Sequence, residues 1–179
     1  MLEHLIKISR RNWSSLKVII LAGGRGKRIT LFKPFLVVCG KPLISWAFDA
    51  VNKLSDKVYL GINQSHPLFT IFKHSIFKIF PTPDISYEND VKYVVESLGP
   101  PILVLPVDIA FINNNIINNL IERCAVDMCT LKSYGSYLGV TYWTGLNFSN
   151  YTDIEVKEKL YNINTWEDYI KANKECNIL

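Results

Sequence analysis

No window of this chain reaches about 18 uninterrupted apolar residues, the length a membrane-spanning helix needs. The longest candidate, residues 94–112, is broken by Glu96, Pro100, Pro101, Pro106 and Asp108, so no integral membrane segment is expected. The opening MLEHLIKISRRNWSS has neither the apolar middle nor the small-residue cleavage site of a secretory leader, and the expected location is cytoplasmic. Cysteine is scarce. Cys39, Cys124, Cys129 and Cys176 make no CxxC pair, which argues against a zinc ribbon, and they are too few for a disulfide-stapled secreted scaffold. They are expected to be reduced and packed. His66 and His74 stand eight apart with no third ligand in view, so packing or surface roles are expected for them rather than zinc. An excess of one charge is missing too: 20 Lys and Arg against 16 Asp and Glu leave a net charge of +4. That is too mild for a protein that coats nucleic acid, although it suits an anionic small substrate.

What is present is a core. The chain has 179 residues and 49% hydrophobic content, and at about 150 residues a domain buries roughly 68 to 70% of the surface of its unfolded chain. With no repeat, low-complexity tract or linker, one domain over residues 17–179 is expected, preceded by an N-terminal extension, residues 1–16. In that extension Leu2, Leu5, Ile6 and Trp13 with Lys7, Arg10 and Arg11 have the makings of a short basic amphipathic helix.

From residue 17 onward, β-rich runs alternate with helical patterns, the rhythm of an α/β domain with a mostly parallel sheet and helices on both faces. Residues 18–21 (VIIL) and 102–105 (ILVL) are unbroken apolar runs, as central strands covered on both faces require. Residues 35–39, 57–62 and 76–80 read as further strands, and 126–131 with 140–143 as a sheet edge. Helices are expected over 42–54, with Pro42 as first helical residue, over 88–98, from an Asn113 cap to Arg123, over 165–174, and briefly after Pro67.

The segment Leu21, Ala22, Gly23, Gly24, Arg25, Gly26, Lys27, Arg28 directly follows the first strand, where open α/β sheets bind phosphates. It is not a Walker A loop, because Gly26-Lys27 is followed by Arg28 and no glycine stands five before Gly26. As a dinucleotide fingerprint it is weak, because position 29 is Ile29. A mononucleotide loop remains, in which backbone N–H groups close around phosphates and Arg25, Lys27 and Arg28 add positive charge. An ordinary glycine turn with solvated cations is the competing reading.

The string LAGGRGKRITLFKPFLVVCGKPL, with Gly24, Gly26, Arg28, Lys33-Pro34 and Gly40 to Leu43 in register, resembles the opening of the MobA-like nucleotidyltransferases. The likeness continues through Gly61-Ile62-Asn63, through LVLPVDIA ending at Ala110, and through YNINTWED at residues 161–168. Within that superfamily the chain is most similar to the short archaeal adenosylcobinamide-phosphate guanylyltransferases, in its length, in Tyr87-Glu88-Asn89-Asp90 and in Gly145-Leu146-Asn147. Lys27, Ile29 and Thr30 depart from the pattern, which places Thr before the arginine and Met-Gly after it.

The resemblance implies a three-layer α/β/α domain of the Rossmann-like nucleotide-diphospho-sugar transferase type. It also implies transfer of GMP from GTP to a phosphorylated acceptor, with loss of pyrophosphate. Residues 21–26 would then bind the nucleotide with Asn63, Asn162 and Asn164, Arg28 and Lys33 would offset phosphate charge, and Asp108 would bind Mg²⁺. Outside the resemblance, Asp108 has a plainer role as a helix cap. Tyr134, Tyr137, Tyr142 and Trp143 are candidates for an apolar wall against a corrin ring, and Trp46, Trp143 and Trp166 for the core. The expected partners are small molecules only, GTP and adenosylcobinamide phosphate, with no nucleic acid; a homodimer is left open. Molybdopterin or a sugar phosphate is the alternative acceptor, and a non-catalytic nucleotide sensor the alternative function.

Overall fold

The computed structural model describes residues 15–24 and 28–177. The candidate amphipathic helix at the N-terminus, and Arg25, Gly26 and Lys27 of the glycine loop, lie outside the described residues. The spine of the fold is β1 (Lys17–Leu21), which pairs in parallel with β4 (Val58–Ile62) on one side and β6 (Ile102–Pro106) on the other. Its alternation places Val18 and Ile20 in one apolar layer and Ile19 and Leu21 in the other. The first layer is closed by Ala47, Ala50 and Val51 of α1 (Leu43–Val51) and by Ile117 and Leu120 of α4 (Asn114–Arg123); the second by Val91, Val94 and Val95 of α3 (Tyr87–Leu98). Unbroken apolar strands between two helical layers produce the three-layer α/β/α domain.

The seven-stranded sheet has the order β10 (Tyr151–Val156), β8 (Met128–Ser133), β9 (Ser136–Trp143), β6, β1, β4, β5 (Lys78–Pro81). Beyond β6 it turns partly antiparallel: β9 runs against both β6 and β8, while β10 returns parallel to β8. β5, preceded by the short α2 (Phe69–Lys73), forms the other edge. Gly61 in β4 is required by close approach, since a Cβ there would stand 2.6 Å from Leu21 Cδ2. Among the described residues no helix is long and apolar enough to cross a membrane.

Several expectations need correction. Residues 35–39 are not one strand: a 3-10 turn (Lys33–Phe35) leads into β2 (Val37–Val38), which hairpins onto β3 (Lys41–Pro42) through Cys39 and Gly40, both at positive φ. Pro42 is therefore the N-cap of α1, not its first residue. The cysteines are not reduced. Cys39 is bridged to Cys176 and Cys124 to Cys129, with Cα separations of 5.2 and 5.7 Å, inside the range a disulfide spans. Tyr142 and Trp143 are 7% and 3% exposed, so they belong to the core and offer no wall to a ligand, whereas Trp166 is half exposed and not core.

The final helix, α5 (Trp166–Lys174), starts at a capping box in which Thr165 accepts from the Asp168 N–H at 3.2 Å and Asp168 accepts from the Thr165 N–H at 2.9 Å. Burial pushes the Asp168 carboxyl up, but hydrogen bonds from the Thr165 hydroxyl and from the Asn164 and Thr165 N–H groups more than offset this and hold it below its usual value. A depressed folded value means stability that is present above the ordinary carboxylate range and lost as pH falls through that lowered value. Thr165→Ala should cost about 1 kcal/mol at neutral pH in denaturant unfolding, and the difference from wild type should shrink in acid.

Candidate active site

At the carboxyl ends of β1 and β6, a cleft of about 410 Å³ opens between the glycine loop, α3 and β9. The elements that meet there explain its chemistry. The 3-10 turn carries Lys33 inward, β6 delivers Asp108 two residues past its end, and the two-stranded ribbon of β7 (Ile109–Ala110) with β11 (Tyr161–Asn162) brings Asn162 beside them. The ribbon is pinned at its base, because the Ile163 N–H donates to the Asp108 carbonyl at 2.9 Å.

Lys33 Nζ donates to Asp108 Oδ2 at 2.5 Å and to Asn164 Oδ1 at 2.9 Å, and Asn164 Nδ2 donates onward to Asn162 Oδ1 at 2.8 Å. Four side chains from three distant parts of the sequence thus form one chain of polar contacts. Lys33 and Asp108 are only 12% and 15% exposed, and pairing keeps two poorly hydrated charges from standing alone. Asp108 Oδ1 is buried with no hydrogen-bond partner among the described residues. An orphaned carboxylate oxygen beside a cleft is costly unless something cationic or protic meets it there. Asp108 caps no helix; Asn113 fills that role, accepting from the Ile116 N–H at 3.1 Å.

A smaller recess of about 240 Å³ adjoins the cleft, sharing Gly24, Lys33 and Asp108 with it and extending under Leu21, Ala22 and Gly23. Gly23 faces the ends of β4 and β5, where a Cβ would lie 3.6 Å from Thr82 Oγ1. Gly24 and Arg28 are exposed at the mouth. Asn63 stands apart from both cavities, its amide engaged in the loop: Nδ2 donates to the Thr82 and Pro83 carbonyls at 2.7 and 3.1 Å, and Oδ1 accepts from the Ser65 N–H at 2.8 Å.

Tyr87, which the family likeness names without a role, walls both cavities. Its hydroxyl donates to the Gly139 carbonyl at 2.5 Å, joining α3 to β9 across the cleft. Burial first, with the Asp108 carboxylate second, pushes its phenol well above the usual value, so it stays a neutral donor. Asp90, on the same face of α3, is buried at the recess and accepts from the Asp84 N–H at 2.9 Å; burial raises its carboxyl despite that bond. The signal for these residues in the sequence is the family likeness of Tyr87-Glu88-Asn89-Asp90.

A family model described as the MobA-like NTP transferase domain matches residues 18–137. The bifunctional protein GlmU of Thermoanaerobacter pseudethanolicus is 29% identical over 114 residues, 60% of this chain and 25% of that protein. A molybdenum cofactor guanylyltransferase of Ectopseudomonas mendocina is 27% identical over 111 residues, 59% of this chain and 54% of that protein. The matched segments thus span about a quarter of the one relative and about half of the other. In structure the chain resembles molybdopterin-guanine dinucleotide biosynthesis protein A from Archaeoglobus fulgidus, with a TM-score of 0.67 at 18% identity over 91% of this chain and 100% of that one. At that identity the likeness is one of fold.

Proposed function

Because the chain belongs to the MobA-like NTP transferase family, we propose that it is a guanylyltransferase, moving GMP from GTP onto adenosylcobinamide phosphate and releasing pyrophosphate. The observation that carries the reading is the convergence of Lys33, Asp108, Asn162 and Asn164 beside a glycine loop at the carboxyl end of the sheet. An oxygen of the acceptor phosphate attacks the α-phosphorus, the bond from that phosphorus to the bridging oxygen breaks, and pyrophosphate carries the electron pair away. Such a step depends on in-line positioning and charge neutralisation more than on a covalent nucleophile.

The orphaned Asp108 Oδ1 fits a hard divalent cation, and Asp108 with Asn162 would hold Mg²⁺. Among the described residues no three His, Cys, Asp or Glu side chains converge on one point, in keeping with an ion that takes one or two carboxylates and completes its shell with phosphate oxygens and water. When bound, the ion supplies positive charge where negative charge gathers on the phosphates. The rest falls to the chain itself. The Lys33 ammonium meets phosphate oxygens from the floor of the cleft, the Arg28 guanidinium does so from its mouth, and Asn164 keeps Lys33 aimed. Tyr87 holds β9 against α3 as the far wall.

Mass spectrometry of a reaction of the protein with GTP, Mg²⁺ and adenosylcobinamide phosphate tests the proposal: adenosylcobinamide-GDP should appear, and its absence with GTP binding intact would remove this acceptor. Molybdopterin is the second reading, supported by the molybdenum cofactor guanylyltransferase among the relatives; the same assay with molybdopterin separates the two.

A further inference from the structure

Tyr161 and Asn162 are consecutive in β11, so their side chains leave opposite faces of the ribbon. Asn162 lines the nucleotide cleft, whereas Tyr161 lines a second cavity of about 420 Å³. Its walls are aromatic. Trp46 meets Phe111 edge to face with ring centroids 5.3 Å apart, and Phe111 meets Tyr161 in the same way at 5.9 Å. Phe111 is presented from a backbone with φ of 68°, a conformation a bulky side chain adopts only where its surroundings impose it.

The rim is charged. Lys159 Nζ and the Tyr161 hydroxyl both donate to Glu175 Oε1, each at 2.7 Å. Glu158 also lines the cavity, and its carboxylate has no ion-pair or hydrogen-bond partner among the described residues. Two carboxylates against one ammonium leave one negative charge unbalanced at the rim of the cavity. These rings already attract cations: Lys159 Nζ lies 5.1 Å from the Tyr161 centroid, and Lys41 Nζ lies 4.4 Å from that of Trp46.

We infer that this cavity is a binding site for a planar aromatic molecule that carries a cationic amine. The flat ring displaces water from Trp46, Phe111 and Tyr161, and the ammonium pairs with Glu158. An anionic aromatic molecule meets the Glu158 carboxylate instead, and an aliphatic amine forgoes the rings. None of the three aromatic or three charged residues lines the nucleotide cleft, so the site goes beyond the proposed transferase reaction and stands or falls without it.

Tryptamine is the probe, titrated into the full chain by isothermal calorimetry beside indole-3-acetate, which keeps the ring and reverses the charge, and hexylamine, which keeps the charge and lacks the ring. Tryptamine should bind in the millimolar range, and both comparators at least about threefold more weakly. Glu158 is exposed, so Glu158→Gln should fold normally, weaken tryptamine by roughly threefold to tenfold and leave GTP binding unchanged. Phe111→Leu, which keeps an apolar side chain and removes the ring, should weaken it too. Absent tryptamine binding, equal affinity for indole-3-acetate, or unchanged affinity in Glu158→Gln would each overturn the assignment.

Discussion

Asp108→Asn should lower nucleotidyl transfer assayed with Mg²⁺ by about 10²- to 10³-fold, the scale on which losing a preorganised charge partner at the reacting phosphates acts. The substitution is nearly isosteric, so the loss is one of charge. Lys33 keeps its 2.9 Å bond to Asn164 Oδ1 but loses the carboxylate, and a poorly hydrated ammonium is left half-paired. A modest fall in melting temperature should accompany the loss of activity, and GTP binding without the metal should strengthen, because the ammonium is freed for phosphate. Lys33→Met should show the mirror image, with weaker GTP binding and retained metal response. Steady-state kinetics over a Mg²⁺ series, with thermal melts on both variants, checks this. Asp108→Asn turnover within tenfold of wild type would sink the assignment of Asp108, and a wild type that binds GTP but turns over no acceptor would favour a sensor.

The layers of the fold were legible where composition and pattern coincide. Residues 18–21 and 102–105 are apolar without interruption and lie in the middle of the sheet, and Asn113 and Thr165 cap helices as their residue types predict. β10 carries no clear signal because its sequence YTDIEV belongs to an edge, where exposed Glu155 alternates with buried Ile154 and Val156 only over the second half. The β7–β11 ribbon is two residues to a side, too short for any periodicity to register. In the candidate site, the motif resemblance points to Lys33, Asp108, Asn162 and Asn164, which the structure brings together, since a contact between residues 75 or 131 apart leaves no trace in local pattern. The likeness at 87–90 includes Tyr87 but implies no role for it, because that role depends on Gly139, 52 residues away. Asn63 differs from these four: its place after a strand suggests a ligand contact, and in the structure its amide holds the β4 and β5 loops together.

The largest effect on stability should come from the bridge that spacing could not reveal. Cys39 and Cys176 are separated by 137 residues, Cys124 and Cys129 by five. Chain-entropy arguments give a crosslink over a loop of more than 100 residues about 5 kcal/mol and one over six residues about 2 kcal/mol, with measured values often smaller. Cys39→Ser should therefore lower unfolding stability by about 3 to 5 kcal/mol, and Cys124→Ser by clearly less, in denaturant titrations without reductant. Dithiothreitol should bring the wild type down to the double variant Cys39→Ser/Cys124→Ser, which lacks both bridges, and leave that variant unmoved; an unchanged midpoint for Cys39→Ser would mean that the bridge does not form. The consequence reaches the cleft through a short path. Asn173 Oδ1 accepts from the Cys39 N–H at 3.2 Å, and Glu175, beside Cys176, takes the Tyr161 hydroxyl at 2.7 Å, one residue before Asn162. Opening the bridge frees the turn that anchors this ribbon, so nucleotide affinity in Cys39→Ser should fall at temperatures where the fold itself still holds.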